Sequence, residues 1–251
     1  MFHPSGTVEN PATGADADGI SASITARLGA ASGAVGSALI FVGLMMTNGA
    51  TEALSIADAP QTIAAHYASQ RDEIRLGVAL ALTGVFFALW FLGDLHRRIR
   101  AAEANGGWVG SVVLAAGAVG LAGVLVYLGI LIAATNETIA SAPETARTFL
   151  VVSWEYGGIL SPAYGAFVGA TSLAIVRYSL LPKLARALGW LGLPLALALA
   201  VSGFLGGFFV VLALLWQLAV AVAFLVEPHP AMTARLAPQR GEAHSRRGRI
   251  R

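Results

Sequence analysis

One acidic side chain lies inside a long apolar stretch, where charged groups are rare. Glu155 is six residues into the apolar run 149–176, about 9 Å below its outer boundary at 1.5 Å per residue. Tyr127 is six residues from the end of the run 108–133, so antiparallel helices would hold both at similar depth. Ionisable groups within a membrane are costly and are candidates for function. The pair predicts a site for proton coupling. Alternatively, Trp154 and Tyr156 form an interfacial belt that places Glu155 among the lipid headgroups.

Further polar candidates follow in the same run and in the last apolar run. Pro162 cannot donate to the carbonyl of Gly158, which predicts a kink, and Ser161 or a neighbouring helix would satisfy that carbonyl. Gln217 is expected to bond across helices toward Ser161 or Tyr164. Broken helices build binding sites in transporters, but a packing kink and an interhelical hydrogen bond explain the same residues. The candidate transport network comprises Glu155, Tyr127, Ser161, Pro162 and Gln217.

Several chemistries are excluded by residue type. The chain has no cysteine, which removes disulfides, thiolate metal sites and cysteine nucleophiles. None of the five histidines lies in an apolar run, which excludes a buried bis-histidine haem. The sequence contains no His-Glu-x-x-His, Gly-x-Ser-x-Gly or phosphate-loop motif. We therefore expect no catalytic residues, no cofactor and no metal site.

The composition indicates which elements must hold these residues. Of 251 residues, 56% are hydrophobic and 12% charged, whereas soluble domains have roughly 45–50% and about 25%. This balance predicts an all-α, polytopic membrane protein. A bilayer core takes roughly 20 helical residues, and 39 apolar residues at 188–226 are too long for one crossing. With a turn at 202–207, six spans are predicted at about 28–47, 76–93, 108–133, 149–176, 188–203 and 208–226.

Basic residues predict the orientation. With both termini cytoplasmic, all of the 16 Lys and Arg residues except Arg71, Arg75 and Arg147 fall on the cytoplasmic side. The polar segment 1–27 and the arginine-rich tail 227–251 are expected to be disordered. We expect a multi-pass protein of the plasma membrane, with the lipid bilayer as its main partner and the tail contacting anionic lipid. The tail lacks the fold and aromatic residues of a nucleic-acid-binding element.

Smaller features predict local structure. In the long loop after the first span, Asp58 is the expected N-cap of a short amphipathic helix that carries Ile63 and Tyr67 and lies on the outer membrane surface. Glycine spacings predict closely packed helix faces. They leave open whether those faces pack within one chain, in a homo-oligomer or on a partner subunit. These spacings are Gly29-x-x-x-Gly33, Gly117-x-x-Gly120-x-x-Gly123 and Gly165-x-x-x-Gly169.

Two segments resemble a known family. Ile63-Ala-Ala-His66-Tyr67 leads into Asp72-Glu73-Ile74-Arg75-Leu76-Gly77, and Leu180-Leu-Pro-Lys-Leu-Ala-Arg-Ala-Leu-Gly-Trp-Leu-Gly192 joins the later spans. With the basic loop after the second span, they resemble an actinomycete-type family of six-span bacterial membrane proteins of unknown function. The resemblance covers about residues 28–205. It implies a topology but no catalytic residue.

These observations leave two functional hypotheses of different kinds. The first is a non-enzymatic accessory or interaction protein, based on small loops and few polar groups in the spans. The alternative is a small proton-linked transporter that uses Glu155. An enzyme would need clustered polar residues at one membrane face, and Asp94, His96 and Glu103 make no convincing cluster.

Overall fold

The chain folds into helices. A computed structural model describes residues 12–103, 107–183, 185–201 and 206–226, and these contain helices and connecting loops without a strand. The expected all-α class is confirmed for this part of the chain. The helices are α1 (Ala12–Thr51), α2 (Pro60–Ser69), α3 (Arg71–Ala102), α4 (Val109–Ala134), α5 (Glu137–Ala140), α6 (Pro143–Tyr178), α7 (Ala187–Val201) and α8 (Gly206–Val226).

Five of the described helices are long and apolar enough to cross a membrane. They are α3, α4, α6, residues Arg27–Thr51 of α1 and residues Phe208–Val226 of α8. The fifth predicted span, at 188–203, corresponds to α7, which has 15 residues and is about 22 Å long, less than the roughly 30 Å hydrocarbon core. The predicted turn at 202–207 falls largely outside the described residues.

The first helix begins earlier than expected. We expected residues 1–27 to be disordered, but α1 starts at Ala12, directly after Pro11. Adding a residue to an existing helix requires far less free energy than nucleating a new helix. The apolar part of α1 therefore extends backwards through the alanine-containing segment that precedes it. Residues 1–11 and the tail 227–251 lie outside the described part.

The long helices form a closed ring. In order around it, α1 packs on α3, α3 on α4, α4 on α6, α6 on α8 and α8 on α1, while α7 packs on both α6 and α8. The short helices α2 and α5 pack on α6 at the end where α1 stops and α3 begins. We call this end of the ring the α2 end.

The contact between α1 and α3 is the most extensive in the ring, because small residues let the two backbones touch. A Cβ added to Gly84 would lie 2.7 Å from the Gly36 carbonyl oxygen, and one at Gly77 would lie 2.8 Å from that of Gly43. A Cβ at Gly33 would collide with the ring of Phe91. Helix packing on Gly33 is therefore confirmed, and this face of α1 packs within the chain.

The short helix α2 differs from its prediction in two ways. Its N-cap residue is Ala59, with Pro60 in the first turn, because the Asp58 carboxylate instead accepts from the Ser55 backbone N–H at 2.7 Å. Its apolar face is buried, with Ile63 0% and Tyr67 2% exposed. That face packs on α6, so α2 covers protein with the residues that we expected to face lipid.

Candidate functional site

A half-enclosed cavity lies inside the ring near the α2 end. Its volume is about 280 Å³, and its walls come from α1, α4, α6 and α8. Hydroxyl and amide groups on three of these helices face it, and aliphatic side chains such as Leu44 and Val124 fill the space between them. We call it the α2-end cavity. The lining residues with polar side-chain groups are Asn48, Thr51, Tyr127, Ser153, Trp154 and Tyr164.

Helical spacing explains how these groups come together. Asn48 and Thr51 are three residues apart and therefore share one face of the last turns of α1. Across the cavity, the Tyr127 hydroxyl donates to the Asn48 side-chain carbonyl at 3.4 Å, a long hydrogen bond. The Thr51 hydroxyl donates to its own helix, to the Thr47 carbonyl at 3.0 Å. Because their mutual hydrogen bond is long, Asn48 and Tyr127 are the cavity residues whose polar groups are best placed to bond with a ligand instead.

The helix α2 contributes Tyr67 next to this cavity. The Tyr67 hydroxyl hydrogen-bonds with Ser153. The Ser153 hydroxyl also donates to the Leu150 carbonyl at 2.8 Å. Burial raises the pKa of Tyr67 to about 12, against a smaller lowering by the Ser153 hydrogen bond. The phenol is therefore neutral at physiological pH.

Two contacts anchor α2 and the start of α3 over the bundle. The His66 ring Nε2 lies 2.7 Å from the Ala50 carbonyl oxygen near the end of α1. Arg71 forms a salt bridge of 2.8 Å with Glu137 on α5, whose side chain is 82% exposed. Exposed pairs of this kind contribute little to stability. The buried apolar face of α2 and the Tyr67 hydrogen bond therefore account for most of its attachment.

A smaller cavity lies deeper, at the centre of the ring. Its volume is about 20 Å³, and its lining includes Gln217 on α8 and Tyr164 on α6. That space holds about one water molecule, which requires polar partners of this kind. Tyr164 is 4% exposed and lines both cavities. The phenol of Tyr164 thus separates the α2-end cavity from the centre of the bundle.

The five residues predicted as a transport network occupy different surroundings. Tyr127 lines the α2-end cavity, Gln217 lines the central one, and Ser161 is fully buried. Glu155 and Pro162 are exposed, and α6 continues as a helix through Pro162. The Tyr127 hydroxyl contacts Asn48, so the expected phenol–carboxyl pair with Glu155 is replaced by a phenol–amide pair. Trp154, beside Glu155, is 51% exposed and also lines the α2-end cavity.

Sequence reasoning missed Asn48, Thr51, Tyr67 and Ser153. A signal for part of this set was present. Ser153, Leu160 and Tyr164 are spaced by seven and four residues, which places them on one face of α6. All three line the α2-end cavity. Glu155, two residues after Ser153, points about 200° away around the helix.

Charged groups at the opposite end of the ring bind one another. The Asp94 carboxylate accepts from Arg97 at 2.6 Å and from Arg98 at 2.7 Å. Glu103 accepts from the Gly110 backbone N–H at 3.1 Å, and the His96 ring Nδ1 lies 2.9 Å from the Gly110 carbonyl oxygen. The two contacts with Gly110 join the end of α3 to the start of α4. Within the described residues, no group of three His, Asp or Glu side chains is placed to hold a metal ion.

Comparison with known proteins identifies no relative. No family model, no curated protein and no solved structure matches the chain. The membrane-family resemblance thus rests on the two sequence segments and the basic loop after the second span.

Proposed function

We propose that this chain is a non-enzymatic, multi-pass membrane protein that binds a small neutral molecule in the α2-end cavity. The observation that carries the proposal is the lining of that cavity. The polar groups of the described residues that form it are hydroxyls, one amide and the indole N–H of Trp154, without a charged side chain. Small-molecule sites are commonly apolar concavities with a few placed polar groups.

The lining also suggests the shape of the ligand. Asn48 supplies an amide that both donates and accepts, and Tyr127 supplies a hydroxyl across from it. Leu44, Val124 and Val210 form an apolar wall. A molecule with one hydrogen-bonding end and an apolar body would satisfy both surfaces. A charged ligand would lose its hydration without gaining a counter-charge.

Binding without catalysis suits an accessory role in the membrane, and it is favoured over proton-linked transport. Proton coupling through Glu155 requires that carboxyl in the path of the substrate. Glu155 is exposed, and the cavity lining does not include it. We therefore propose that Glu155 lies at headgroup level, beside the exposed Trp154.

The proposal includes a topology. We propose that α7 also crosses the membrane, which makes six spans, and that both termini are cytoplasmic, in the plasma membrane. Five long apolar helices support the membrane assignment, and the distribution of Lys and Arg supports the orientation. On this topology the α2 end faces outwards. The family resemblance predicts the same arrangement.

Calorimetry in lipid nanodiscs tests the binding site, with 1-naphthol as the neutral probe and 1-naphthalenesulfonate as its charged counterpart. We expect saturable binding of 1-naphthol that is absent for the sulfonate. Val124→Phe fills the cavity from α4, and Asn48→Leu removes the exposed amide; both should weaken binding at least fivefold. Glu155→Gln is the matched control and should bind normally. Equal binding by wild type and Val124→Phe would overturn the proposal.

A further inference from the structure

A third concavity runs along the outside of the α1–α3 pair, at the end opposite α2. Its volume is about 720 Å³. Its walls are apolar and exposed, with Leu28 on α1 at 65% and Phe86, Leu89 and Trp90 on α3 at 57%, 50% and 65%. We call it the α1–α3 groove.

Glycines make room for the groove. Gly93 lies among its lining residues, and a Cβ added there would meet nothing within 4 Å. On α1, Gly29 lies against Asp94, so the two helices approach closely at this depth. Along α3 the lining extends from Phe86 to Arg97, about 16 Å at 1.5 Å per residue. That length matches half of a hydrocarbon core about 30 Å thick.

A positive charge closes one end of the groove. Two guanidinium groups, those of Arg97 and Arg98, share the single carboxylate of Asp94, whose side chain is 6% exposed. The cluster therefore carries one net positive charge. Arg98 also stacks over the Phe224 ring at 4.8 Å, whereas Arg97 lines the groove and its side chain is 52% exposed. A guanidinium has five N–H donors in a fork that matches a phosphate, so donors of Arg97 remain beyond its bond to Asp94.

We propose that the α1–α3 groove binds one anionic phospholipid. Its phosphate contacts Arg97, and one acyl chain lies along Phe86, Leu89 and Trp90. The length of one leaflet, the apolar wall and the net positive end favour this occupant over a second copy of the chain or a peptide. A zwitterionic headgroup offers no net charge to complement the cluster. The inference rests on membrane embedding and is independent of ligand binding in the α2-end cavity.

Native mass spectrometry of protein extracted from nanodiscs tests the proposal. In equimolar phosphatidylglycerol and phosphatidylcholine, we expect wild type to retain one phosphatidylglycerol in preference. Arg97→Gln should lower that retention about fivefold, since each basic side chain near the surface contributes about that factor. Asp94 keeps Arg98 as its partner in this variant. Arg147→Gln, an exposed arginine on α6, is the matched control and should retain the lipid as wild type does.

A second variant tests the acyl-chain contact separately from the headgroup contact. Gly93→Leu places a side chain in open space within the groove, so the fold should persist while retention of the lipid falls. Equal retention of phosphatidylglycerol by the Arg97→Gln and Arg147→Gln variants would overturn the proposal, because the retained lipid would then be unspecific annular lipid. Dimerisation that Gly93→Leu abolishes would also overturn it, because a second copy would then occupy the groove. Unchanged binding of 1-naphthol by Gly93→Leu distinguishes this test from that of the α2-end cavity.

Discussion

The Tyr67 hydroxyl on α2 hydrogen-bonds with Ser153 on α6, and this contact ties a short helix outside the ring to a wall of the α2-end cavity. Tyr67 is 2% and Ser153 8% exposed. A bond between two buried groups is costly to break on one side only, because the remaining group stays unsatisfied. The pair therefore links the position of α2 to the shape of the cavity.

Removing the Tyr67 hydroxyl should loosen α2. We expect Tyr67→Phe to lower the free energy of unfolding by about 1 kcal/mol, the usual net contribution of one hydrogen bond. Ser153→Ala should cost a similar amount, and the double variant should cost less than the sum of the two. SDS-titrated unfolding in mixed micelles measures all three. Tyr156→Phe, at a half-buried position on α6, is the control. Strictly additive losses would show that the two side chains do not interact.

Alkaline pH should destabilise the protein through the same tyrosine. Burial raises the pKa of Tyr67 from 10.0 to about 12. A pKa that is higher in the folded state means that the stabilisation is complete below pH 10 and is lost as the pH rises toward 12. At pH 11 the loss is about 1.4 kcal/mol. Unfolding free energies at pH 9 and pH 11 should therefore differ more for wild type than for Tyr67→Phe. An equal difference in both proteins would contradict the assignment to Tyr67.

Hydropathy predicted well where α4 and α8 lie along the chain, but it did not predict which way each side chain points around its helix. The predicted run 108–133 matches α4 (Val109–Ala134), and 208–226 lies within α8. Their positions in the apolar runs predict that Tyr127 and Glu155 lie at similar depth and interact. Each residue turns a helix by about 100°, however, so Ser153 faces the cavity while Glu155 is exposed. The direction is set by packing against other helices, which a uniformly apolar span does not encode.

The misassigned surroundings of α2 have a related cause. Pro60 and the spacing of Ile63 and Tyr67 predicted a short amphipathic helix, and α2 begins at Pro60. An apolar helix face is equally satisfied by lipid and by protein, so its pattern does not identify its partner. The buried hydroxyl of Tyr67 identifies the partner as α6, because that group hydrogen-bonds with Ser153.

Glu155 should be dispensable where Tyr127 is not. We expect Glu155→Gln to change the unfolding free energy by less than about 0.5 kcal/mol, as for other exposed positions, and to bind 1-naphthol normally. Tyr127→Phe removes the hydroxyl that faces Asn48 and should weaken the binding of 1-naphthol several-fold. Calorimetry on the two variants in the same nanodiscs makes the comparison. Impaired binding by Glu155→Gln with normal binding by Tyr127→Phe would restore the carboxyl as the functional group.

Single cysteines should report the topology, because the chain contains none of its own. Ser69→Cys lies on α2 and Lys183→Cys lies between α6 and α7, both at exposed positions. A membrane-impermeant maleimide should label Ser69→Cys on intact cells and should label Lys183→Cys only after permeabilisation. The reverse pattern would invert the proposed orientation. A reporter fused after Arg251 should remain cytoplasmic, and a periplasmic signal there would contradict the six-span count.

The two glycines of α3 at positions 84 and 93 should respond oppositely to the same added methyl group. At Gly84 a Cβ would lie 2.7 Å from both the Gly36 carbonyl oxygen and the Ile40 backbone nitrogen, so α1 and α3 must move apart. Overpacking of this kind costs about 1–3 kcal/mol, more than the 0.5–1 kcal/mol that alanine contributes by restricting the unfolded chain. At Gly93 nothing lies within 4 Å, and only the favourable effect remains. SDS-titrated unfolding should therefore find Gly84→Ala less stable and Gly93→Ala slightly more stable than wild type. Equal shifts in both variants would show that the α1–α3 contact does not depend on the close approach of the two backbones.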